Sequence, residues 1–257
     1  MEKEYIDNPF VITICSGKGG VGKSFITANL ANILARKGMR VLVWDTDTSF
    51  PNQHILQGVE PPIRLSDVYN GNYDLLRAIY KINDNLDLLA DKQTFDEIPD
   101  SNSDLILDIF KKLLINTSYD LILIDTPAFN SEQVLQCCNI ADLICLIVTD
   151  EPTSLLDGYG LLKILLSYIN KDYMGILINN VIDIEDADDI SQKLNMATEK
   201  FLKTQIQQLG FLPYDREVRQ SILQQVLYSD IHEETELISA FEDVSNNILM
   251  KIGQSIK

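Results

Sequence analysis

The sequence predicts a doubly wound α/β fold, a mostly parallel sheet flanked by helices. Three observations carry that prediction. Short runs rich in Val, Ile and Leu alternate with helix-length segments along the 257 residues, the pattern of successive βαβ units. Several of the runs are continuously apolar, as strands buried on both faces tend to be. Hydrophobic residues make up 46% of the chain, enough to cover both faces of one sheet in a single large domain.

The elements follow in order. The first strand is Phe10–Cys15, and the glycine-rich loop Ser16–Ser24 leads from it into a helix over Ser24–Lys37. Gly38 closes that helix as its C′ residue. Further strands are expected at Arg40–Trp44, Leu86–Leu89, Leu121–Ile124, Leu143–Val148, Tyr173–Asn179 and Phe211–Leu212. Helices are expected at Ser103–Asn116, Ser131–Cys138, Thr153–Asn170 and Asp188–Gln208, the last closed by Gly210. The acidic stretch Asp183–Asp189 reads as a solvated loop whose last aspartates cap the following helix. Phe241, Val244, Ile248, Leu249, Ile252 and Ile256 share one helical face, so residues 241–257 read as a C-terminal amphipathic helix, either a closing helix packed on the sheet or one whose last turns contact membrane. No repeat, low-complexity tract or linker divides the chain, and residues 1–257 are read as one domain.

The formal net charge is -17 with no Lys/Arg run. That balance argues against DNA or anionic lipid as a partner of the protein body, since both are polyanions. Cys15, Cys137, Cys138 and Cys145 form no CxxC pair and read as buried thiols in a reducing compartment. His54 and His232 are isolated and suggest no metal site. The acidic start lacks the apolar core of a signal peptide, and no apolar stretch nears the roughly 18 residues that span a bilayer. The expected location is cytoplasmic.

The chemistry is expected where strands end, because ligands of open α/β sheets bind at the carboxyl edge. Gly17, Gly22, Lys23 and Ser24 fit the strand–GxxxxGK[ST]–helix pattern of a phosphate-binding loop. Gly17, Lys18, Gly19, Gly20, Val21, Gly22, Lys23, Ser24 and Phe25 are the expected nucleotide contacts there. Lys23 reaches the β/γ-phosphates and the Ser24 hydroxyl ligates Mg²⁺. Lys18 is one cation more than such a loop needs, which points to a further participant at the site. Asp45-Thr46-Asp47 follows the second strand and Asp125-Thr126-Pro127-Ala128 follows the fourth. Carboxylates so placed hold the Mg²⁺ shell or orient the attacking water. Ser24, Asp47 and Asp125 are the metal-side candidates.

With Lys18, the Asp45-x-Asp47 segment and the Asp125-Thr126-Pro127-Ala128 turn, the chain resembles the MinD/ParA group of deviant-Walker ATPases over nearly its whole length. Two segments resemble the FlhG branch (also called FleN or YlxH) of flagellar-number regulators: Glu151-Pro152-Thr153-Ser154 with Asp157-Gly158-Tyr159, and Phe201-Leu202 with Leu209 to Arg219. The resemblance implies ATP and ADP with Mg²⁺ as ligands. It implies catalytic roles for Lys18, Lys23, Asp47 and Asn52. Lys18 matches the lysine that crosses an ATP-sandwiched dimer, Asp47 the aspartate that orients water, and Asn52 an asparagine beside that water. Asp125 matches the Walker B aspartate. Asn179 matches the residue that recognises adenine, and Pro213, Tyr214 and Asp215 the loop beside the base.

The expected activity is slow, partner-stimulated hydrolysis of ATP to ADP and phosphate by a homodimerising switch that controls the placement or number of flagella. The alternatives are a MinD-type division-site regulator cycling on membrane, and a nucleotide-dependent scaffold with negligible turnover. The implied partners are a second copy, the flagellar GTPase FlhF or a flagellar switch or regulatory protein, and the inner face of the membrane through the C-terminal helix. Two departures stand out: Phe129 where the group has glycine, and no FlhF-activating motif in Met1–Asn8.

Overall fold

The computed structural model describes residues 8–91, 105–128 and 132–255; Phe129, Met1–Asp7 and Ile256 lie outside them. The chain opens with β1 (Phe10–Cys15), α1 (Lys23–Arg36) and β2 (Val41–Asp45). Short elements follow: α2 (Gln53–Leu56), α3 (Leu65–Tyr69), α4 (Leu75–Ala78) and β3 (Tyr80–Lys81). Then come β4 (Leu86–Leu89), α5 (Leu105–Asn116), β5 (Leu121–Asp125), α6 (Glu132–Asn139) and β6 (Leu143–Val148). The rest is α7 (Pro152–Leu165), β7 (Met174–Val181), α8 (Ile184–Leu202), β8 (Gln207–Pro213), α9 (Glu217–Gln224), α10 (Tyr228–Ile231) and α11 (Glu236–Ser255).

The eight strands form one sheet in the order β3-β4-β2-β5-β1-β6-β7-β8. Every neighbouring pair is parallel except β3 with β4. This is the doubly wound architecture expected. β1 sits between β5 and β6, where the winding changes direction, so the loop after β1 opens at the crevice where such folds bind ligands.

The period of two along each strand divides the core between two faces. Ile12, Ile14, Val43, Leu123 and Cys145 point to one side and pack against α1 and α11. Val11, Trp44, Ile122, Leu146 and Ile176 point to the other, under α3 to α8. All four cysteines are buried free thiols.

Several expectations are corrected. The helix placed at Asp188–Gln208 runs Ile184–Leu202, because Asp183, the first of the acidic residues and not the last, caps it by accepting the Asp186 N–H at 2.9 Å. It ends on Lys203 in the left-handed region, φ 58°. Gly210 therefore closes no helix. It lies inside β8, where a Cβ would stand 2.7 Å from Val244 of α11. Helix α7 stops at Leu165 and not at Asn170, and it starts on Pro152, a favoured first helical residue. The α2–β3 stretch, α9 and α10 have no counterpart among the expected elements.

The apolar stripe of α11 is packed inward. Phe241, Val244, Ile248 and Ile252 are buried in the core, and Leu249 packs against it. The stripe therefore serves the sheet through Ile252. Among the described residues no helix is long and apolar enough to cross a membrane.

Candidate functional site

The loop after β1 is shaped by what presses on it. A Cβ at Gly17 would stand 2.2 Å from the Asp157 carbonyl oxygen, so the loop's mouth lies directly on the backbone of α7. Gly22 has φ +97°, and a Cβ there would stand 2.5 Å from Asn179 Nδ2. That amide donates to the Val21 carbonyl at 2.8 Å and braces the loop from the end of β7. Helix α1 starts at Lys23 without a side-chain cap and without an acid in its first turn, leaving its N-terminal field to an anion.

The loop's two lysines go to different places. Lys23 is buried and its Nζ donates to Ser16 Oγ at 3.0 Å, inside the loop. Burial lowers its pKa, and the nearby Asp125 carboxylate opposes that. Lys18 turns outward: its Nζ donates to the Glu151 carboxylate and, at 2.9 Å, to Thr153 Oγ1. Both partners stand at the start of α7, and the hydrogen bond from Lys18 lowers the Glu151 pKa.

Asp45 and Asp125 are register partners at the carboxyl ends of β2 and β5. Both are buried. Asp45 Oδ1 accepts the Asp47 N–H at 3.0 Å, and Oδ2 accepts the N–H groups of Asn52 at 2.9 Å and Gln53 at 3.1 Å. Burial, then the charge of Asp125, raises its pKa. Asp125 Oδ2 accepts from Gln53 Nε2 at 2.8 Å, and Ser24 lies close enough to favour the ionised carboxylate. Burial pushes this carboxyl up to about 6, against the pull of Gln53, Ser24 and Lys23. Asp47 is half-buried, accepts the Phe50 N–H at 2.9 Å, and lies near enough to act on the titration of both Lys23 and Asp125.

A cavity of about 400 Å³ opens beside the loop, lined by Gly22, Phe25, Asn179, Asn180, Pro213 and Tyr214 among others. Asp215 also lines it, but its carboxylate is engaged within the chain: it accepts from Tyr228 Oη at 2.6 Å and from the Glu217 N–H at 2.7 Å. Asp215 therefore shapes the cavity's wall.

The fold thus brings together the loop, Ser24, Lys23, Asp47, Asn52 and Asp125, with Asn179 and the Pro213–Asp215 segment at one side. Three further residues complete it: Gln53, which the sequence reading did not name, and Glu151 and Thr153, which it named within a family-like segment but not as site residues. Their motif positions carry no signal for these contacts.

The residues suit Mg²⁺ and a nucleotide. Among the described residues Asp125 Oδ1 and Asn52 Oδ1 are buried acceptors with no partner, and buried acceptors of this kind call for donors such as ordered water. Among the described residues no three His, Cys, Asp or Glu side chains gather to hold a metal alone. A Mg²⁺ ion here would be shared with phosphate oxygens, as is usual for this ion.

Residues 12–227 match the family described as CobQ/CobB/MinD/ParA nucleotide binding domain. The chain belongs to this family. Antiactivator FleN of Pseudomonas aeruginosa is 28% identical over 245 residues, covering 93% of this chain and 85% of that protein. The flagellum site-determining protein YlxH of Helicobacter pylori is 31% identical over 183 residues, covering 70% and 62%. The septum site-determining protein MinD of Pyrococcus horikoshii, solved in complex with Mg-ADP, superposes with TM-score 0.77 at 25% identity, covering 93% and 96%. The MinD/ParA resemblance and the FlhG-like relatives expected from the motifs are both present, and the chain is a MinD/ParA-type ATPase.

Proposed function

We propose that this ATPase is a dimerising switch, one domain over residues 1–257, that controls the number or placement of flagella. Two copies would close over bound ATP, with Ser24 and Asp125 placed to hold Mg²⁺, and slow hydrolysis to ADP and phosphate would reopen them. The observation that carries the reading is the divergence of the two lysines. Lys23 lies within its own loop, whereas Lys18 points out of it to Glu151 and Thr153 at the start of α7, and in the dimer it would exchange those partners for the phosphates of the second copy.

The remaining roles follow from position. Gly17, Gly19, Gly20, Val21 and Gly22 present backbone N–H groups to the phosphates. Lys23 neutralises phosphate charge, and Ser24 and Asp125 hold the Mg²⁺ environment. Asp47 and Asn52 place the attacking water, since phosphoryl transfer depends on positioning and charge. Phe25, Asn179, Pro213 and Tyr214 receive the base. When bound, Mg²⁺ supplies charge neutralisation to the phosphates.

The name of YlxH, a flagellum site-determining protein, supports a flagellar role, and with the FlhG-like segments we extend it to a flagellar partner, the GTPase FlhF or a flagellar switch or regulatory protein. A MinD-type role on membrane is the second reading, favoured by the superposition on MinD. It leaves membrane contact to the residues after Ile252, because the preceding stripe is buried.

Paired variants test the switch. Lys18→Ala should hold ADP within about threefold of the native affinity and lose ATP-dependent dimers in size-exclusion chromatography with light scattering. Asp47→Ala should hydrolyse about a hundredfold more slowly and accumulate the dimer. Equal loss of nucleotide binding in Lys18→Ala, or a monomeric Asp47→Ala with ATP, overturns the dimer reading.

A further inference from the structure

Gln53 is fully buried at the first turn of α2, beside the turn that carries Asn52. Its carboxamide is satisfied on every side. Nε2 donates to the Ser24 carbonyl at 3.0 Å and to Asp125 Oδ2 at 2.8 Å, while Oε1 accepts from Gln57 Nε2 at 3.2 Å. Its backbone N–H is held by Asp45 Oδ2. One side chain therefore ties the phosphate loop's helix, the aspartate at the end of β5 and the segment between Asp47 and Gln57. By occupying Asp125 Oδ2 it leaves Oδ1 as that carboxylate's buried acceptor without a partner among the described residues.

We propose that Gln53 is the positioning residue that sets which Asp125 oxygen faces the Mg²⁺ environment and carries the state of that site into the 47–57 segment. The physical case is that an amide with both N–H groups committed cannot rotate without leaving a buried carbonyl or carboxylate unpaired. A change at Asp125 or Ser24 therefore moves α2, and with it Asn52. Leucine or methionine would fill the same space and transmit nothing. This inference rests on the Mg–nucleotide reading of the site.

Trp44, the chain's one tryptophan, supplies the readout. It is fully buried and immediately precedes Asp45, so its emission reports on the β2 end without an added label. The test compares native protein with Gln53→Met, using ADP with excess EDTA, ADP with a Mg²⁺ titration, and steady-state ATP hydrolysis. Gln53→Met should bind ADP in EDTA within about threefold of native, while the apparent Mg²⁺ affinity falls about tenfold or more, the usual scale for losing a partner that orients a ligand. The Mg²⁺-induced change in Trp44 emission should vanish. The rate constant kcat should fall about tenfold with KM for ATP nearly unchanged. Native-like Mg²⁺ affinity and Trp44 response in a folded Gln53→Met would overturn the assignment and make Gln53 a packing residue. Should Gln53→Met not fold, Gln53→Asn, which keeps the amide but is too short for both partners, must show the same direction of change or the assignment fails. Native protein that shows no Mg²⁺-dependent nucleotide binding would instead overturn the underlying reading of the site.

Discussion

The phosphate loop and the 45–57 segment meet at Asp125 yet are built by opposite means. The loop takes its shape mainly from close packing, with the Asn179 amide and Ser16 bonding within it: Gly17 lies on the backbone of α7, and Gly22 takes a left-handed φ beneath Asn179. The 45–57 segment hangs on polar side chains, with three N–H groups on the Asp45 carboxylate and the Gln53 amide on Ser24 and Asp125. Steric contacts leave one shape. Hydrogen bonds to titratable or ligand-facing groups can be exchanged when the ligand changes. The molecule thus pairs a preformed cradle with a part able to respond.

The strongest challenge to that contrast is to disturb the cradle. Gly17→Ala forces a methyl group into the Asp157 carbonyl, and overpacking against backbone should cost about 3 kcal/mol. At this chain length that is a fall of roughly 6–12 °C in melting temperature, measured by calorimetry, together with loss of ADP binding. Native melting with native ADP affinity would show that the loop yields as easily as the segment beside it.

The junction should respond to pH. Burial holds the Asp125 carboxyl near 6, above an ordinary carboxylate. Folding therefore favours its protonated form: that stabilising contribution is fully present below about pH 4 and is lost as pH rises through about 6. Through this group nucleotide-free protein should lose up to about 3 kcal/mol between those limits, and Asp125→Asn should reduce the slope in urea titrations while Asp45 keeps its own contribution. Mg²⁺ needs the carboxylate, so its apparent affinity should weaken as pH falls below 6. Parallel stability curves for both proteins would remove Asp125 as the titrating group.

The smallest effect on stability should come from loosening the segment alone. Asp45→Asn keeps one acceptor for the Asn52 and Gln53 N–H groups but turns an amide donor on the Asp47 N–H, so global stability should fall by only about 1–2 kcal/mol. Amide exchange at Asp47, Asn52 or Gln53 should nevertheless speed up by about tenfold, as a local opening. Unchanged exchange at all three would mean that the turn is held by something other than Asp45.

What was legible in the sequence follows the range of the forces involved. The strand–loop–helix at Phe10–Lys37 was readable because glycine spacing, an apolar run and a helical period all act within a few residues. The central strands were readable because burial on both faces leaves continuous Val, Ile and Leu. The ends of α8 were misread because Asp183 caps it from inside the acidic stretch and Lys203, a residue with no glycine-like signature, takes the left-handed turn. Elements of one turn, such as α2 and α4, have no period to detect.

By itself the sequence determined the doubly wound sheet, the loop, its lysines and the carboxylates at the strand ends, since these follow from local pattern and short-range sterics. Tertiary structure alone decided that Lys18 meets Glu151 and Thr153, that Asp215 is taken by Tyr228, that the α11 stripe faces the core, and that Gln53 joins Ser24 to Asp125. Those pairings link residues far apart in the chain, and which atoms meet depends on the direction in which the folded backbone points each side chain.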